Sequence, residues 1–162
     1  MITSDIKNEA STHGVLVNLT NHRLPDHAFK TLRAKKGIKS FTVFSEQASF
    51  DYEKDIWKQV EDIMRELGKE EKNGKTVFTT EGKKFLFLPG SSIGAVMIAI
   101  FLGKVWGRFP EICITRKDSS GVESLIQILD MDSFSKKTHN FWRGVHIFGK
   151  DEVSLGRKIQ AS

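Results

Sequence analysis

Two short loops hold the residues of this chain whose types and spacing could support chemistry. The first, "NLTNHRL", brings amide, hydroxyl, imidazole and guanidinium groups together in Asn18, Thr20, Asn21, His22 and Arg23. Such groups can contact base edges, ribose hydroxyls and phosphate. In a turn without a ligand, the same side chains would form hydrogen bonds to the backbone of the turn itself. Their place directly after a predicted strand favours a binding site.

The second loop, "LPGSSIG", lies between an apolar strand and an apolar helix. Gly90 could take a positive φ and let a ligand approach the backbone, while Ser91 or Ser92 could cap the helix. The free N–H groups at the start of such a helix favour a phosphate. Many strand-to-helix turns have this composition without any ligand, so phosphate binding is a hypothesis at this stage.

Other known motifs fit the second loop less well. No lysine follows it, which excludes a P-loop, and Gly90 with Gly94 does not make the dinucleotide fingerprint. Residues 90–94 match the G-x-S-x-G nucleophile elbow around Ser92, with His139 and His146 following in the chain. An esterase nevertheless needs a longer scaffold, so this is the weakest alternative.

Metal and thiol chemistry have little support in the sequence. The five histidines show no ligand spacing, and Cys113 is a single cysteine that we expect to be buried in a strand. Asp130 and Asp132 could hold Mg²⁺ at a strand end, although aspartates are commoner in turns. We therefore expect no metal and no cofactor.

Composition limits the class of protein. The 162 residues are 39% hydrophobic and 28% charged, which is typical of one globular domain. The net charge of +5 suits an anionic ligand such as a nucleotide, and we expect no long nucleic acid as a partner. The N-terminus has no signal-peptide pattern, and the apolar run 93–102 is far shorter than the roughly 20 residues that cross a bilayer. These features predict a soluble, cytoplasmic protein.

The order of predicted elements indicates the fold. Strands are predicted at 14–19, 38–44, 83–88, 111–117 and 123–131, with a further edge strand suggested at 76–80, and helices at 26–37, 51–68 and 93–105. This alternation predicts an α/β fold: a three-layer, Rossmann-like, mostly parallel sheet with a C-terminal β-hairpin. Ligands of such sheets bind beyond the carboxyl ends of the strands, where strand order reverses. That rule selects the two loops above.

The domain organisation follows from the same pattern. We expect a flexible leader at 1–13, one domain at 14–131, and an extension at 132–162 that packs on the domain or on a dimer. The basic run on the first helix is predicted to be a solvated face; its residues are Lys30, Arg33, Lys35 and Lys36.

The helix at 93–105 is apolar on every side, so a second apolar surface must cover the side that faces away from the sheet. We expect a homodimer through the helix from Ile93 to Val105, which would bring the two "PGSS" turns near each other. Coverage by the C-terminal segment that contains Phe141 and Trp142 is the alternative.

Two stretches together resemble a known family. "VLVNLTNH" is similar to an N-terminal strand that ends in Asn, a hydroxyl residue and His. "FLPGSSIGAVMIAIFLGKVWGRFPEI" is similar to a Pro-Gly turn, a small-residue apolar helix and Gly-x-x-Gly-x-Phe-Pro. Over residues 14–131 the chain resembles a small stand-alone family of CRISPR-associated proteins from type III systems, related in fold to CARF domains.

The resemblance implies a Rossmann-like, CARF-like homodimer that binds a cyclic oligoadenylate second messenger across its two-fold axis. A cyclic tetra-adenylate would match such a symmetric cleft, and the net charge offsets part of its four negative charges. The ligand residues implied are Asn18, Thr20, Asn21 and His22 from the first loop, with Gly90, Ser91 and Ser92 from the second. One departure from the pattern is Asn21, because the histidine is expected closer to the strand end.

Family resemblance leaves binding and cleavage both open. Some proteins of this kind sequester the messenger, and others degrade it without metal by positioning a ribose 2′-hydroxyl against the adjacent phosphate. In the second case His22 or Ser91 would orient that hydroxyl or protonate the leaving oxygen. A further alternative is a Rossmann-like scaffold subunit without a small ligand.

Overall fold

The computed structural model describes residues 12–147, and the side chains of residues 12–140 among them. Within residues 12–147 it has the predicted α/β architecture, with five strands and, against three predicted, four helices. The strands are β1 (His13–Asn18), β2 (Ser40–Ser45), β3 (Lys83–Phe87), β4 (Glu111–Lys117) and β5 (Glu123–Leu129). The helices are α1 (Asp26–Lys36), α2 (Ile56–Lys69), α3 (Ser92–Trp106) and α4 (Met131–Ile147).

The five strands form one sheet in the order β2-β1-β3-β4-β5. Strands β1 to β4 run parallel, and β5 pairs antiparallel with β4. The predicted C-terminal hairpin is therefore confirmed. Its turn is stabilised by the carboxylate of Asp118, which accepts the backbone N–H groups of Ser120 and Val122.

The chain reverses its direction across the sheet after β2. It moves from β1 outward to β2, then returns past β1 to β3 and continues to β4. Because parallel crossovers are right-handed, this reversal puts α1 on one face of the sheet and α2 and α3 on the other. The central strands β1 and β3 bury consecutive residues without alternation, because both faces of the sheet are covered there. The core between α1 and the sheet includes residues of both and consists of Leu16, Leu24, Ala28, Leu32, Ile38, Phe85, Phe87, Cys113 and Leu125.

On the other face, α3 buries Ala95, Ile98 and Leu102. Its outward side is apolar as well, and Ile93, Val96 and Ile100 are 46%, 55% and 52% exposed. These three residues recur at helical spacing, so they form one stripe along α3. We call them the α3 stripe below.

Three local predictions were wrong. Residues 76–80 form a turn rather than an edge strand, because the carbonyl oxygen of Thr76 accepts the N–H groups of Thr79 and Thr80. Helix α2 begins at Ile56 rather than at residue 51, since Asp55 caps it by accepting the N–H of Lys58.

The third difference is α4, a helix in a region where no regular element was predicted. Asp130 accepts both the N–H and the hydroxyl of Ser133, which fits a helix start better than a magnesium site. The basic run on α1 is exposed at Lys30, Arg33 and Lys35, whereas Lys36 pairs with Glu111.

The chain divides into two compact units, one ending at Leu129 and one beginning at Asp130. Residues 1–11 of the predicted leader and residues 148–162 of the extension lie outside the described part, as do the side chains of Phe141 and Trp142. Among residues 12–147, no helix has the length and apolar character needed to span a membrane.

Candidate functional site

An open cleft of about 500 Å³ lies at the carboxyl ends of β1 and β2. Asn18, the last residue of β1, is in register with Ser45 on β2 and with Phe87 on β3. The loop after β1 therefore lies next to the reversal of strand order, where sheets of this type bind ligands. The cleft is lined by Asn18, Asn21, His22, Arg23, Ser45, Glu46 and Gln47.

Asn18 and Thr20 fix the backbone of the first loop. Asn18 is the one buried polar residue among those described, and its Nδ2 donates to the carbonyl oxygen of His22 at 2.7 Å. Its Oδ1 accepts the backbone N–H of Thr20 at 3.1 Å and the hydroxyl of Thr20 at 2.7 Å. The hydroxyl oxygen of Thr20 also accepts the N–H of His22 at 3.3 Å. Both side chains thus shape the loop from within.

Asn21 joins the first loop to the connection between β2 and α2. Its φ is 63°, in the left-handed region that asparagine tolerates better than most residues. Its Oδ1 accepts the N–H of Ala48 at 2.8 Å, and its Nδ2 donates to the carbonyl oxygen of Ala48 at 3.4 Å. The amide of Asn21 is therefore committed to this connection.

His22 and Arg23 are exposed at the cleft, as Asn21 is, but differ from Asn21 in their hydrogen bonding. Within residues 12–140, neither the imidazole nor the guanidinium group makes a hydrogen bond or ion pair. The backbone that carries His22 is held by Asn18 and Thr20. Of the five residues predicted in this loop, these two are the ones with polar side-chain groups available to a ligand.

The residues after β2 also contribute to the cleft, which was not predicted from the sequence. Glu46 and Gln47 directly follow β2 and line the cleft opposite the first loop. One oxygen of Glu46, Oε1, accepts the N–H of Gln47 at 3.1 Å, and Oε2 has no partner among the described residues. The rule that selects carboxyl ends of parallel strands applied equally to β2, and could have identified Glu46.

The second loop lies after β3, and its predicted residues do not line the cleft. Ser91 caps α3, as predicted for Ser91 or Ser92: its Oγ accepts the N–H of Gly94 at 3.1 Å. The same Oγ lies 2.7 Å from the hydroxyl of Tyr52. Ser92, the first residue of α3, is exposed.

Gly90 does not have the positive φ that was suggested, because the turn is completed without a left-handed residue there. A Cβ at Gly90 would meet no atom within 4 Å. The space above the turn is therefore open to an approaching group, as the sequence suggested.

The connection between β2 and α2 lies between the two predicted loops. Asn21 binds it at Ala48, and Ser91 contacts it through Tyr52. Phe50 packs so closely on α3 that a Cβ at Gly94 would lie 2.4 Å from its ring. The first and second loops are thus linked through this connection.

Alternative chemistries gain no support from the described residues. Neither Ser91 nor Ser92 bonds to a histidine within residues 12–140, as a nucleophile elbow would need; the side chain of His146 lies outside this range. Among the described residues, no group of three or more His, Cys, Asp or Glu side chains could hold a metal ion. Cys113 is buried as predicted, and burial raises the pKa of its thiol, which makes it a poor nucleophile.

A second polar cluster lies at the opposite, amino end of the sheet. The ring nitrogens of His13 bond to the hydroxyls of Ser40 and Thr42 at 2.7 and 2.8 Å. The pKa of His13 is lowered mainly by burial and, to a smaller extent, by the cation of Lys84. Burial lowers the pKa of Lys84 to about 8, against the influence of Glu81. Because these bonds follow the pairing of β1 with β2, they are accounted for by the sheet itself.

Comparison with known proteins finds no match to this chain, whether among family models, curated proteins or solved structures.

Proposed function

We propose that this protein binds a cyclic oligoadenylate in the cleft between the first loop and the end of β2. The observation that carries the proposal is the pair His22 and Arg23. Neither side chain has a hydrogen-bond or ion-pair partner among residues 12–140, and both lie at the rim of a cleft of about 500 Å³, a volume typical of small-molecule sites. A guanidinium group without a protein partner suits the phosphate of a nucleotide.

We further propose a Rossmann-like, CARF-like fold and a role as an accessory protein of a type III CRISPR system. The strand order 2-1-3-4-5 supports the fold, since it is the order of one common doubly wound nucleotide-binding sheet. The antiparallel β5 is a variation at its edge. The role rests on the family resemblance of the two loops.

The second loop would add contacts to the ligand phosphates. Support comes from the open space above Gly90 and from the exposed hydroxyl of Ser92 at the start of a 15-residue helix. A Gly90→Ala variant places a methyl group in that space without a clash, so it should weaken binding while leaving the fold intact. Unchanged affinity would remove the second loop from the site.

A homodimer through α3 belongs to the same proposal. The α3 stripe exposes three branched apolar side chains, which a second copy would cover under two-fold symmetry. Sedimentation of a Val96→Glu variant should show dissociation of the dimer. Val122→Glu is the matched control, because Val96 and Val122 are 55% and 60% exposed and Val122 lies in the β4–β5 turn. A monomeric wild type, or equal behaviour of both variants, would refute the α3 interface.

The direct test is binding of cyclic tetra-adenylate in EDTA, measured by calorimetry. We expect Arg23→Ala to weaken affinity about tenfold or more, because a hydrogen bond to a charged group contributes about 1.5–3 kcal/mol. Arg65→Ala, which removes an exposed arginine from α2, should have little effect. Absence of binding to the wild type would favour the scaffold subunit without a ligand.

A further inference from the structure

We propose that Glu46 is the general base of a metal-independent phosphodiester cleavage in this cleft, with His22 as the general acid. This inference rests on the proposed function, since it takes the ring of the cyclic oligoadenylate as the substrate. It assigns a role to a residue that the first and second loops do not contain.

The starting observation is the set of charged or titratable groups that line the cleft, which are His22, Arg23 and Glu46. Attack of a ribose 2′-hydroxyl on the adjacent phosphate needs a base for the hydroxyl proton and an acid for the departing oxygen. It also needs a positive group near the phosphate oxygens, where negative charge increases in the transition state. A carboxylate, an imidazole and a guanidinium group meet these three requirements.

The carboxylate of Glu46 is unexpected in a cleft that only binds phosphates. A negative group facing an anionic ligand lowers affinity, so a receptor would be better without it. Glu46 makes no ion pair within residues 12–140, and its Oε2 accepts no hydrogen bond there. A structural role is therefore confined to Oε1, which accepts the N–H of Gln47. The free oxygen is accounted for if it accepts a proton from the ligand.

Both groups are held by the ends of adjacent strands. Glu46 follows Ser45, which is in register with Asn18, and the N–H of Glu46 donates to the carbonyl oxygen of Asn18 at 3.3 Å. His22 is fixed through Asn18 as well, by the bond from Nδ2 to its carbonyl oxygen. Asn18 is thus a positioning residue that fixes the backbone on both sides of the cleft.

In the proposed step the 2′ oxygen replaces the 5′ oxygen on phosphorus. Glu46 takes the proton of the 2′-hydroxyl while the 2′ oxygen forms a bond to phosphorus. The bond between phosphorus and the 5′ oxygen breaks, and that oxygen takes a proton from protonated His22. Arg23 faces the phosphate oxygens throughout. The products are a 2′,3′-cyclic phosphate and a 5′-hydroxyl, and water returns the proton from Glu46 to His22.

The experiment measures binding and single-turnover cleavage of cyclic tetra-adenylate separately, in EDTA, with excess protein. Glu46→Gln keeps the oxygen that accepts the N–H of Gln47 and removes only the base. We expect it to slow cleavage by at least about 100-fold, the usual contribution of a general base, with affinity equal to or higher than that of the wild type. Glu71→Gln, which changes an exposed carboxylate outside the cleft, should leave both unchanged.

The substrate provides a second measurement. Cyclic tetra-2′-deoxyadenylate should bind without being cleaved, because it lacks the attacking hydroxyl.

Each outcome separates this inference from the proposed function. Binding by the wild type without a linear product overturns the inference and leaves a receptor. Cleavage that Glu46→Gln does not slow, or a 2′-deoxy ring that is cleaved, also overturns it while the binding site stands. Failure of the wild type to bind or cleave the ring refutes the proposed function and the inference together.

Discussion

Replacing Asn18 with alanine should destabilise the protein more than any other change to a polar side chain in the cleft. The substitution removes three hydrogen bonds: one to the carbonyl oxygen of His22 and two from Thr20 to Oδ1. Each contributes about 1 kcal/mol net. The hydroxyl of Thr20 retains a bond to the carbonyl oxygen of His22 at 3.2 Å, which limits the loss. We therefore expect the free energy of unfolding to fall by about 2–3 kcal/mol.

Urea unfolding followed by circular dichroism measures this loss. In a thermal scan the melting temperature should fall by about 4–12 °C, taking about 2–4 °C per kcal/mol for a chain of this size. Gln47→Ala is the matched control, because it removes an exposed amide from the same cleft. It should change stability by less than about 0.5 kcal/mol. Asn18→Asp keeps the acceptor for Thr20 but turns an oxygen towards the carbonyl of His22, so it should not restore stability.

A loss smaller than about 1 kcal/mol in Asn18→Ala would refute the reasoning, because one ordinary hydrogen bond accounts for that much. The first loop would then be held by something other than Asn18. The conclusion that a fixed backbone presents His22 to the cleft would fail with it.

Three further predictions concern other parts of the described structure. Gly82→Ala should lower the free energy of unfolding in urea by more than about 2 kcal/mol, because the φ of Gly82 is 136° and a Cβ would lie 2.5 Å from the carbonyl oxygen of His13. Gly90→Ala is the control and should lower it by less than about 0.5 kcal/mol. Equal losses in the two variants would contradict this prediction. The pKa of His13 is lower in the folded protein than the value of 6.5 expected in the unfolded chain. Between these two pKa values the unfolded chain binds more protons than the folded protein, so the free energy of unfolding should decrease as the pH falls from 6.5 through the folded pKa. His13→Gln should remove this dependence, and an unchanged slope would show that another group causes it. Tyr52→Phe should speed amide hydrogen exchange in the connection before α2, because it breaks the contact with Ser91. The free energy of global unfolding should change by less than about 1 kcal/mol. Unchanged exchange would mean that this contact does not hold the connection.

The central strands could be predicted because their signal is local. The run "KKFLFL" is apolar without alternation, and β3 occupies residues 83–87 of it. The run "TVFTT" has an equally strand-like composition, yet residues 76–80 form a turn. Threonine hydroxyls there bond back to the carbonyl oxygen of Thr76, and Val77 is buried. Local propensity favoured a strand, and side-chain bonds together with burial decided otherwise.

The candidate site was predictable to the extent that one loop contains it. His22 and Arg23 follow a strand end directly, so the rule for parallel sheets selects them. Glu46 lies 24 residues further along, and its place opposite His22 depends on the register of β1 with β2. The bond between Asn21 and Ala48 likewise joins residues 27 apart. Neither contact leaves a mark in the local composition, so the position of Glu46 just after a predicted strand was the one signal for the β2 side of the cleft.

The candidate site contains two kinds of residue, and the difference between them determines how variants of the site must be interpreted. Asn18, Thr20 and Asn21 use their side chains on the loop itself and on the adjoining connection. Loss of ligand binding in variants of these three would follow from a displaced backbone and would say little about contact with a ligand. His22, Arg23 and Glu46 have side-chain atoms without partners among residues 12–140. Their removal changes the cleft and breaks at most one described hydrogen bond, from the N–H of Gln47 to Oε1 of Glu46, which Glu46→Gln retains. Only this second set can separate binding from catalysis, and Glu46 is the most informative member, because its removal should raise affinity if it affects binding at all and lower the rate only if it takes the proton.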